Sequence, residues 1–191
     1  MRGYIHLAPF AVLWASWLGY WIAAARDAKA TRRRESYASR LGQIVPIVLA
    51  AALAAFRPQL LGGLGARFLP DTLVVYWIGL LMAVSGLGFA VWARAHLGRN
   101  WSARVTVKEN HELIRSGPYA IVRHPIYTGL LFALLGTAIS FGQWRGLVAF
   151  ACVTVSLLLK LRTEERFMHE TFPDQYPRYR AEVSTLIPFV V

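Results

Sequence analysis

The sequence predicts an all-α integral membrane protein with five transmembrane helices, the last two of which form a C-terminal helical hairpin. One reason is composition, because 56% of the 191 residues are hydrophobic and only 16% are charged, against roughly 25% charged in soluble domains. The length of the uncharged stretches and the uneven distribution of the basic residues lead to the same fold class.

Three uncharged stretches of 23, 22 and 20 residues are long enough to cross a bilayer, since about 20 apolar residues span a hydrocarbon core of roughly 30 Å. They cover residues 3–25, 72–93 and 125–144. Two shorter stretches, 41–56 and 146–159, end beside Arg57 and Lys160, whose long side chains can reach the interface. We expect all five stretches to span the membrane, and the first not to be a cleaved signal peptide, because it has no clear small-residue cleavage site.

Basic residues are concentrated on one side of the membrane in this topology. Of the 21 Lys and Arg residues, 17 fall in segments 26–40, 94–123 and 160–191. Cytoplasmic loops carry an excess of Lys and Arg, so we expect the C-terminus in the cytoplasm and the N-terminus outside. The run 32–34 is interpreted as an orientation signal near anionic headgroups. Nucleic-acid binding is not expected, because it needs a basic groove with stacking aromatics in a soluble module.

Composition and missing motifs exclude several other classes. The aromatic content of 13% excludes a disordered chain, and the single Cys152 excludes a disulfide scaffold or a zinc site built from cysteines. No HExxH motif, P-loop or nucleophile elbow is present, and no metal site is expected. We predict a single structural domain, with membrane helices 1 to 3 in residues 1–96 and helices 4 and 5 with a C-terminal segment in residues 97–191.

The motif Arg123-His124-Pro125-Ile126-Tyr127 lies at the predicted start of the fourth helix. Proline suits the first helical turn, where its missing N–H costs nothing, and it biases His124 towards an extended backbone. The free N–H groups that follow can hold a carboxylate or another polar ligand group. In the structural alternative, His124 only caps the helix and Arg123 contacts lipid headgroups.

A run of charges follows the last apolar stretch. Its members are Lys160, Arg162, Glu164 and Glu165. Lys160 and Glu164 are four residues apart and share a helix face, which also fits a solvated helix end. Because a short turn near 142–143 joins the last two helices, both of their cytoplasmic ends return to one membrane face. The hairpin therefore predicts that His124 and Glu164 line a common pocket.

The segment before the His-Pro step is polar and aromatic, with His111, Leu113, Ser116 and Tyr119 around the turn Gly117-Pro118. Gly-Pro favours a turn, which folds this loop back over the start of the fourth helix. The backbone N–H donors of such a turn, together with the side chains of Tyr119 and Leu113, are suited to binding a flat heteroaromatic ring. An ordinary interfacial loop with an aromatic belt is the alternative.

Glycines lie inside the predicted third helix, at Gly79, Gly86 and Gly88. A nucleotide-binding glycine loop needs a preceding strand, and none is predicted here. Since small residues let transmembrane helices approach closely, we interpret these glycines as helix-packing positions.

Taken in order, the motifs of the C-terminal half resemble the isoprenylcysteine carboxyl methyltransferase family, and most closely its small prokaryotic members with five membrane helices. The resemblance runs from Leu97 to Phe189, whereas the first 90 residues match only in hydropathy. The segments that carry it are Leu97-Gly98-Arg99-Asn100-Trp101-Ser102, His111-Glu112-Leu113, Gly117-Pro118-Tyr119, Arg123-His124-Pro125-Ile126-Tyr127, Arg162-Thr163-Glu164-Glu165, Tyr176, Tyr179 and Leu186-Ile187-Pro188.

The resemblance implies a membrane methyltransferase that uses S-adenosylmethionine and methylates a lipophilic small-molecule or prenylated substrate, most closely an isoprenylcysteine-like carboxylate. The implied cytoplasmic cofactor-binding region consists of the loop before helix four and the segment after helix five. Its contacts would be His111, Leu113, Ile114, Tyr119, His124, Pro125, Ile126, Tyr127 and Glu164. The implied catalytic residues are Lys160, Arg162 and Glu165, where Lys160 and Arg162 remain alternatives for the basic residue that faces the substrate.

Two other functions are considered. A nicotinamide-dependent membrane reductase of sterol-like lipids would share a related C-terminal half, but such enzymes usually have longer chains and more helices. A non-enzymatic membrane protein, such as a small transporter, would be expected to show inverted repeats and polar residues at mid-membrane, and the sequence shows neither.

Overall fold

The computed structural model describes residues 7–24, 31–34, 37–55, 58–98, 106–108 and 113–188. Helices dominate this part of the chain, together with one pair of short strands. The elements are α1 (Leu7–Ala24), β1 (Thr31–Arg34), α2 (Tyr37–Ala55), α3 (Leu73–Leu97), β2 (Thr106–Lys108), α4 (Pro125–Phe141), α5 (Trp144–Thr171) and α6 (Tyr176–Glu182). Short 3-10 helices cover Pro58–Gly65 and Gly117–Ala120.

Three of the described helices are long and apolar enough to cross a membrane, namely α1, α3 and α5, with 18, 25 and 28 residues. The apolar part of α2, Leu41–Ala54, and the whole of α4 are shorter. The predicted helical class and membrane character are confirmed. The count of five spans and the orientation of the termini stay predictions.

Helix α5 is twice as long as the apolar stretch that predicted it. It begins at Trp144 and continues for three turns beyond Leu159, through the charged run, to Thr171. At about 1.5 Å per residue the helix is roughly 42 Å long, which matches a bilayer including its headgroup regions. From this length we expect the C-terminal turns of α5 to reach the level of the lipid headgroups.

Helices α4 and α5 form the predicted hairpin. Gly142 closes α4 in the left-handed conformation, with φ 59°, and its N–H donates to the carbonyl of Ala138. Such a conformation favours glycine. Gln143 then precedes α5 in an extended conformation. The tight turn returns α5 along α4, so the start of α4 and the end of α5 lie on the same side of the molecule.

Helices α3 and α4 pack with their backbones in contact. A Cβ atom added to Gly86 would lie 2.5 Å from the carbonyl oxygen of Gly129, and one added to Gly136 would lie 2.5 Å from that of Gly79. Only glycine allows this approach. The packing interpretation is confirmed for Gly79 and Gly86, but is wrong for Gly88, which has no neighbouring atom within 4 Å.

The remaining helices pack around this hairpin. Helix α2 lies against α5, where Ser156 donates a hydrogen bond of 2.6 Å to the backbone carbonyl of Gln43. Helix α1 lies against α3 and α4, with the Phe10 ring 6.0 Å from Tyr76 and 5.2 Å from Phe141. These contacts keep α4 and the adjoining part of α5 at the centre of the bundle.

One feature of the fold was not predicted. Strands β1 and β2 pair antiparallel, with Arg34 opposite Thr106 and Thr31 opposite Lys108. Four-residue and three-residue strands are too short to produce a readable alternation of apolar and polar residues. The pairing connects the segment before α2 to the segment between α3 and α4.

Candidate functional site

The two sequence motifs with candidate chemistry meet where α4 begins and α5 leaves its apolar stretch. Arg123 and His124 precede α4, and Glu164 and Glu165 project from α5, which runs back beside it. We call these four residues the polar cluster. Their contacts follow from the hairpin geometry, because its single turn returns both helix ends to one level.

The His124 ring lies between two carboxylates. Its Nε2 is 3.2 Å from Oε1 of Glu165, and its Nδ1 is 3.6 Å from Oε2 of Glu164. A neutral imidazole has only one N–H, whereas carboxylates only accept, so this arrangement favours the doubly protonated ring. Burial lowers the pKa of His124, but the hydrogen bonds and charges of the two glutamates outweigh burial, and the net pKa is raised above 6.5.

The structural alternative for His124 is wrong. The residue occupies the position that precedes the first turn of α4, but its side chain makes no capping hydrogen bond there. The backbone N–H of Thr128 pairs within the chain instead, donating to the carbonyl of His124. The His124 side chain is therefore committed to Glu164 and Glu165, and not to the helix end.

Glu164 also contacts the aromatic side chain of Tyr127. The Tyr127 hydroxyl donates a hydrogen bond of 2.6 Å to Oε1 of Glu164. The Tyr127 ring stacks on His124, with centroids 5.5 Å apart and planes at 6°. Lys160 completes this side of the site, because its Nζ lies 5.6 Å from the Tyr127 ring centroid. One turn of α5 separates Lys160 from Glu164, as their spacing predicted.

Arg123 points into the protein, so the proposed contact with lipid headgroups is wrong. Its Nε donates to Oε1 of Glu165 at 2.9 Å, and only 6% of its side chain is exposed. The other guanidinium nitrogens donate to the carbonyls of Arg180 and Val183 and to the hydroxyl of Thr185. Arg123 therefore joins α5 to the segment that follows α6.

Residues 183–186, which we call the C-terminal strap, lie across the start of α4. The backbone N–H of Arg123 donates to the carbonyl of Ser184 at 2.8 Å, and that of His124 to the carbonyl of Thr185 at 3.1 Å. The Thr128 hydroxyl donates to the carbonyl of Leu186 at 2.7 Å. The strap therefore fixes the backbone that carries His124.

Tyrosines fill the space between the strap and the loop before α4. The Tyr179 hydroxyl donates a hydrogen bond of 2.6 Å to the carbonyl of Tyr119. Burial raises the pKa of Tyr179 to about 12, and burial together with the charge of Glu165 raises the pKa of Tyr176. Both phenols are thus neutral hydrogen-bond donors at ordinary pH.

The other predicted cofactor residues are buried or half-buried, apart from His111, which lies outside the described residues. Tyr119, Ile126 and Tyr127 belong to one buried group, and Ile114 packs against it. Pro125 is fully buried at the start of α4. Leu113 precedes Ile114 and is half-buried.

Lys160 and Arg162, the two alternatives for the basic residue that faces the substrate, lie on different faces of α5. Lys160 lies beside Tyr127, as described above. Arg162 lines a cavity of about 600 Å³ on another face of α5. This cavity is open to solvent, and its lining also includes Tyr176 and Arg180 of α6 and Thr185 of the strap. Glu165 and Arg123 form the wall between the cavity and the Tyr127 side.

Sequence reasoning missed several residues of the site. Arg180 lies 3.9 Å from Oε2 of Glu165, and Thr185 binds Arg123. His96 stacks on Tyr119 at 6.5 Å and bonds the Ser116 hydroxyl at 2.9 Å. The sequence signal available for Arg180 was its basic side chain in the short amphipathic segment after α5. His96 gave no such signal, because a polar residue near the end of a predicted membrane helix is common and indicates no particular contact.

Together, the apolar helices and the largely buried polar cluster at one end of the hairpin define a helical membrane protein with a charged site. The family model described as phospholipid methyltransferase matches residues 74–175, which run from α3 to the segment before α6. The chain therefore belongs to the phospholipid methyltransferase family.

Individual relatives agree with this assignment and confirm the resemblance to isoprenylcysteine carboxyl methyltransferases. The chain is 30% identical over 129 residues to protein-S-isoprenylcysteine O-methyltransferase B of Arabidopsis thaliana, covering 64% of this chain and 66% of that protein. It is 34% identical over 101 residues to the Schizosaccharomyces pombe protein-S-isoprenylcysteine O-methyltransferase, covering 51% and 43%. The chain thus spans less than two thirds of the length of these relatives.

A solved structure shares the fold. It is that of a eukaryotic intramembrane Ras methyltransferase, an isoprenylcysteine carboxyl methyltransferase, with a TM-score of 0.52 and 24% sequence identity. The match covers 80% of this chain and 50% of that chain. At this identity the likeness concerns the architecture of the helices.

Proposed function

We propose that the protein is a membrane methyltransferase that uses S-adenosylmethionine and methylates a lipophilic acceptor at the cytoplasmic face. The most fitting acceptor is an isoprenylcysteine-like carboxylate, as in the named relatives. The observation that carries the proposal is the half-buried Glu164, held by Tyr127 and His124 beside Lys160. Family membership does not favour the reductase or the non-enzymatic protein.

The residues on the Tyr127 side fit the chemical groups of S-adenosylmethionine. The cofactor has a sulfonium, an ammonium, a carboxylate and a flat adenine ring. Glu164 offers an anionic acceptor for the cationic groups, and Lys160 offers a cation. The rings of Tyr119 and Tyr127, with Ile114 packed against their cluster, offer apolar and aromatic faces for a heteroaromatic ring.

The reaction asks for positioning more than for acid–base chemistry. When bound, S-adenosylmethionine supplies an electrophilic methyl group, and the transfer is an in-line displacement in which orientation provides much of the acceleration. An acceptor carboxylate is already ionised at neutral pH, so no general base is needed. We assign Lys160, and not Arg162, to holding that carboxylate, because Lys160 lies on the Tyr127 side one turn from Glu164.

Binding of the cofactor tests the proposal directly. Isothermal titration of the detergent-purified protein with S-adenosylmethionine and with its demethylated product is expected to show saturable binding. Glu164→Gln keeps the shape but removes the charge, so we expect at least about tenfold weaker binding. Glu182→Gln is the matched control, because Glu182 forms an exposed pair with Arg115. Absence of binding, or equal weakening by both substitutions, would contradict the proposal.

Transfer of a tritiated methyl group tests the acceptor. Synthetic farnesyl-cysteine analogues and a total membrane lipid extract serve as substrates, followed by identification of the product. We expect Lys160→Gln to raise KM for a carboxylate acceptor about tenfold through the lost charge pairing, and the exposed Arg178→Gln to leave it unchanged. If only lipids are labelled, the acceptor is a lipid and not an isoprenylcysteine-like carboxylate.

A further inference from the structure

A charged cavity lies on the face of α5 that points away from Tyr127. The cavity has a volume of about 600 Å³, and its walls include Leu161, Arg162 and Arg166 of α5 and Arg180 of α6. Residues 162 and 166 project about 200° around the helix from residues 160 and 164. The cavity is therefore separate from the proposed methyl-transfer site and shares with it only the dividing wall.

Among the described residues, the cavity lining has more basic than acidic side chains. The acid in its wall, Glu165, is already bound by Arg123 at 2.9 Å and by His124 at 3.2 Å. Among the described residues, Arg162 and Arg166 form no ion pair. Together with Arg180, whose Nε lies 3.9 Å from Oε2 of Glu165, three arginine side chains line one space, and its described lining contains one further acid, Glu170.

Simpler explanations do not account for this arrangement. Helix dipoles favour cations in a last turn, which explains His169 at the end of α5 and Arg180 at the end of α6. Arg162 and Arg166 lie before that last turn. An excess of basic residues on one side of a membrane protein sets its orientation, but does not require them to converge on a cavity.

We propose that this cavity binds a phosphate group, with Arg162, Arg166 and Arg180 as its ligands. Guanidinium groups bind phosphate oxygens through paired N–H donors. We expect the C-terminal turns of α5 to reach the level of the headgroups, where lipid phosphates are abundant. A phosphate bound there would connect α5 to α6 beside the Arg123–Glu165 pair. Because Arg123 also binds the strap, phosphate binding is expected to order the strap.

Two sources can supply the phosphate, a membrane lipid headgroup or a free phosphate compound. The full chain, purified in a non-ionic detergent, is titrated calorimetrically with short-chain dihexanoyl phosphatidylglycerol and, separately, with inorganic phosphate at constant ionic strength. Saturable binding of the lipid together with weak binding of inorganic phosphate assigns the headgroup. Equal affinity for both supports the phosphate site and assigns a free phosphate source.

Variants decide whether the binding belongs to this cavity. We expect Arg166→Gln to weaken binding about tenfold, and Arg166→Lys to weaken it less, because lysine keeps the charge but loses the paired donors. The matched control Arg178→Gln removes one exposed charge of α6 that does not line the cavity, and we expect less than a twofold change. Equal weakening by Arg166→Gln and Arg178→Gln, or no saturable binding of either ligand, overturns the proposal. The titration needs no methyl donor, so its outcome is independent of the proposed enzyme activity.

Discussion

Helix α4 is held by two different kinds of contact. Along its length it meets α3 through bare backbone, at Gly86 against Gly129 and at Gly79 against Gly136. At its start, the polar cluster joins it to α5. The first contact depends on the absence of side-chain volume, and the second on paired charges that are largely removed from water. The comparison shows one helix fixed by close backbone packing along its apolar length and by ionic pairing at its start.

The largest expected effect comes from breaking the ionic contact. Arg123→Ala leaves the carboxylate of Glu165, 14% exposed, without its closest cation, and loss of one partner of a buried pair costs about 3–5 kcal/mol. Arg115→Ala is the matched control, because its pair with Glu182 also holds the C-terminal region but is exposed, and such pairs contribute about 0–1 kcal/mol. Reversible unfolding in mixed micelles measures both. If Arg123→Ala and Arg115→Ala lower the free energy of unfolding equally, the buried pair is no stronger than the exposed one.

The contact between α3 and α4 is tested by adding one methyl group. We expect Gly86→Ala to lower the free energy of unfolding by about 1–3 kcal/mol, because the new Cβ would overlap the Gly129 backbone. Gly88→Ala, two residues away in the same helix, has open space around it and should match or exceed the wild-type stability, since alanine is the better helix former. The same unfolding assay applies, and an unchanged Gly86→Ala protein would contradict backbone contact.

The smallest expected effect concerns the charge of His124. Its pKa is raised in the folded protein, so its contribution to stability is present below about pH 6.5 and is lost as the pH rises through the raised value. Glu165→Gln removes one of the two carboxylates but not the burial, and is therefore expected to lower the pKa of His124. Titration of ¹⁵N-labelled histidine by NMR measures the shift, with Glu182→Gln as the control that should leave it unchanged.

Local sequence signals were enough to predict how the two motifs meet. Pro125 indicated where α4 begins, and the turn at Gly142 indicated the hairpin, so the proximity of His124 and Glu164 followed from geometry. Both signals act within a few residues, and proline and glycine restrict or extend the backbone wherever they occur. The assignment of individual side chains to cofactor or substrate stays a prediction.

Contacts made through the strap could not be predicted. Arg123 binds backbone carbonyls at Arg180 and Val183, and every residue offers such a carbonyl, so no side-chain pattern reveals the partner. The separation of Lys160 from Arg162 depended on how α5 is rotated against α4, which the spacing alone left open. The pairing of β1 with β2 likewise joins segments about 75 residues apart.

The strap has a consequence for biosynthesis. Because Arg123 and His124 bind residues 183–186, their final geometry depends on a segment that leaves the ribosome after all five long helices have been made. Synthesis of the helices therefore precedes completion of the polar cluster. A chain that ends before residue 183 would contain α1 to α5 and yet lack the contacts that orient His124.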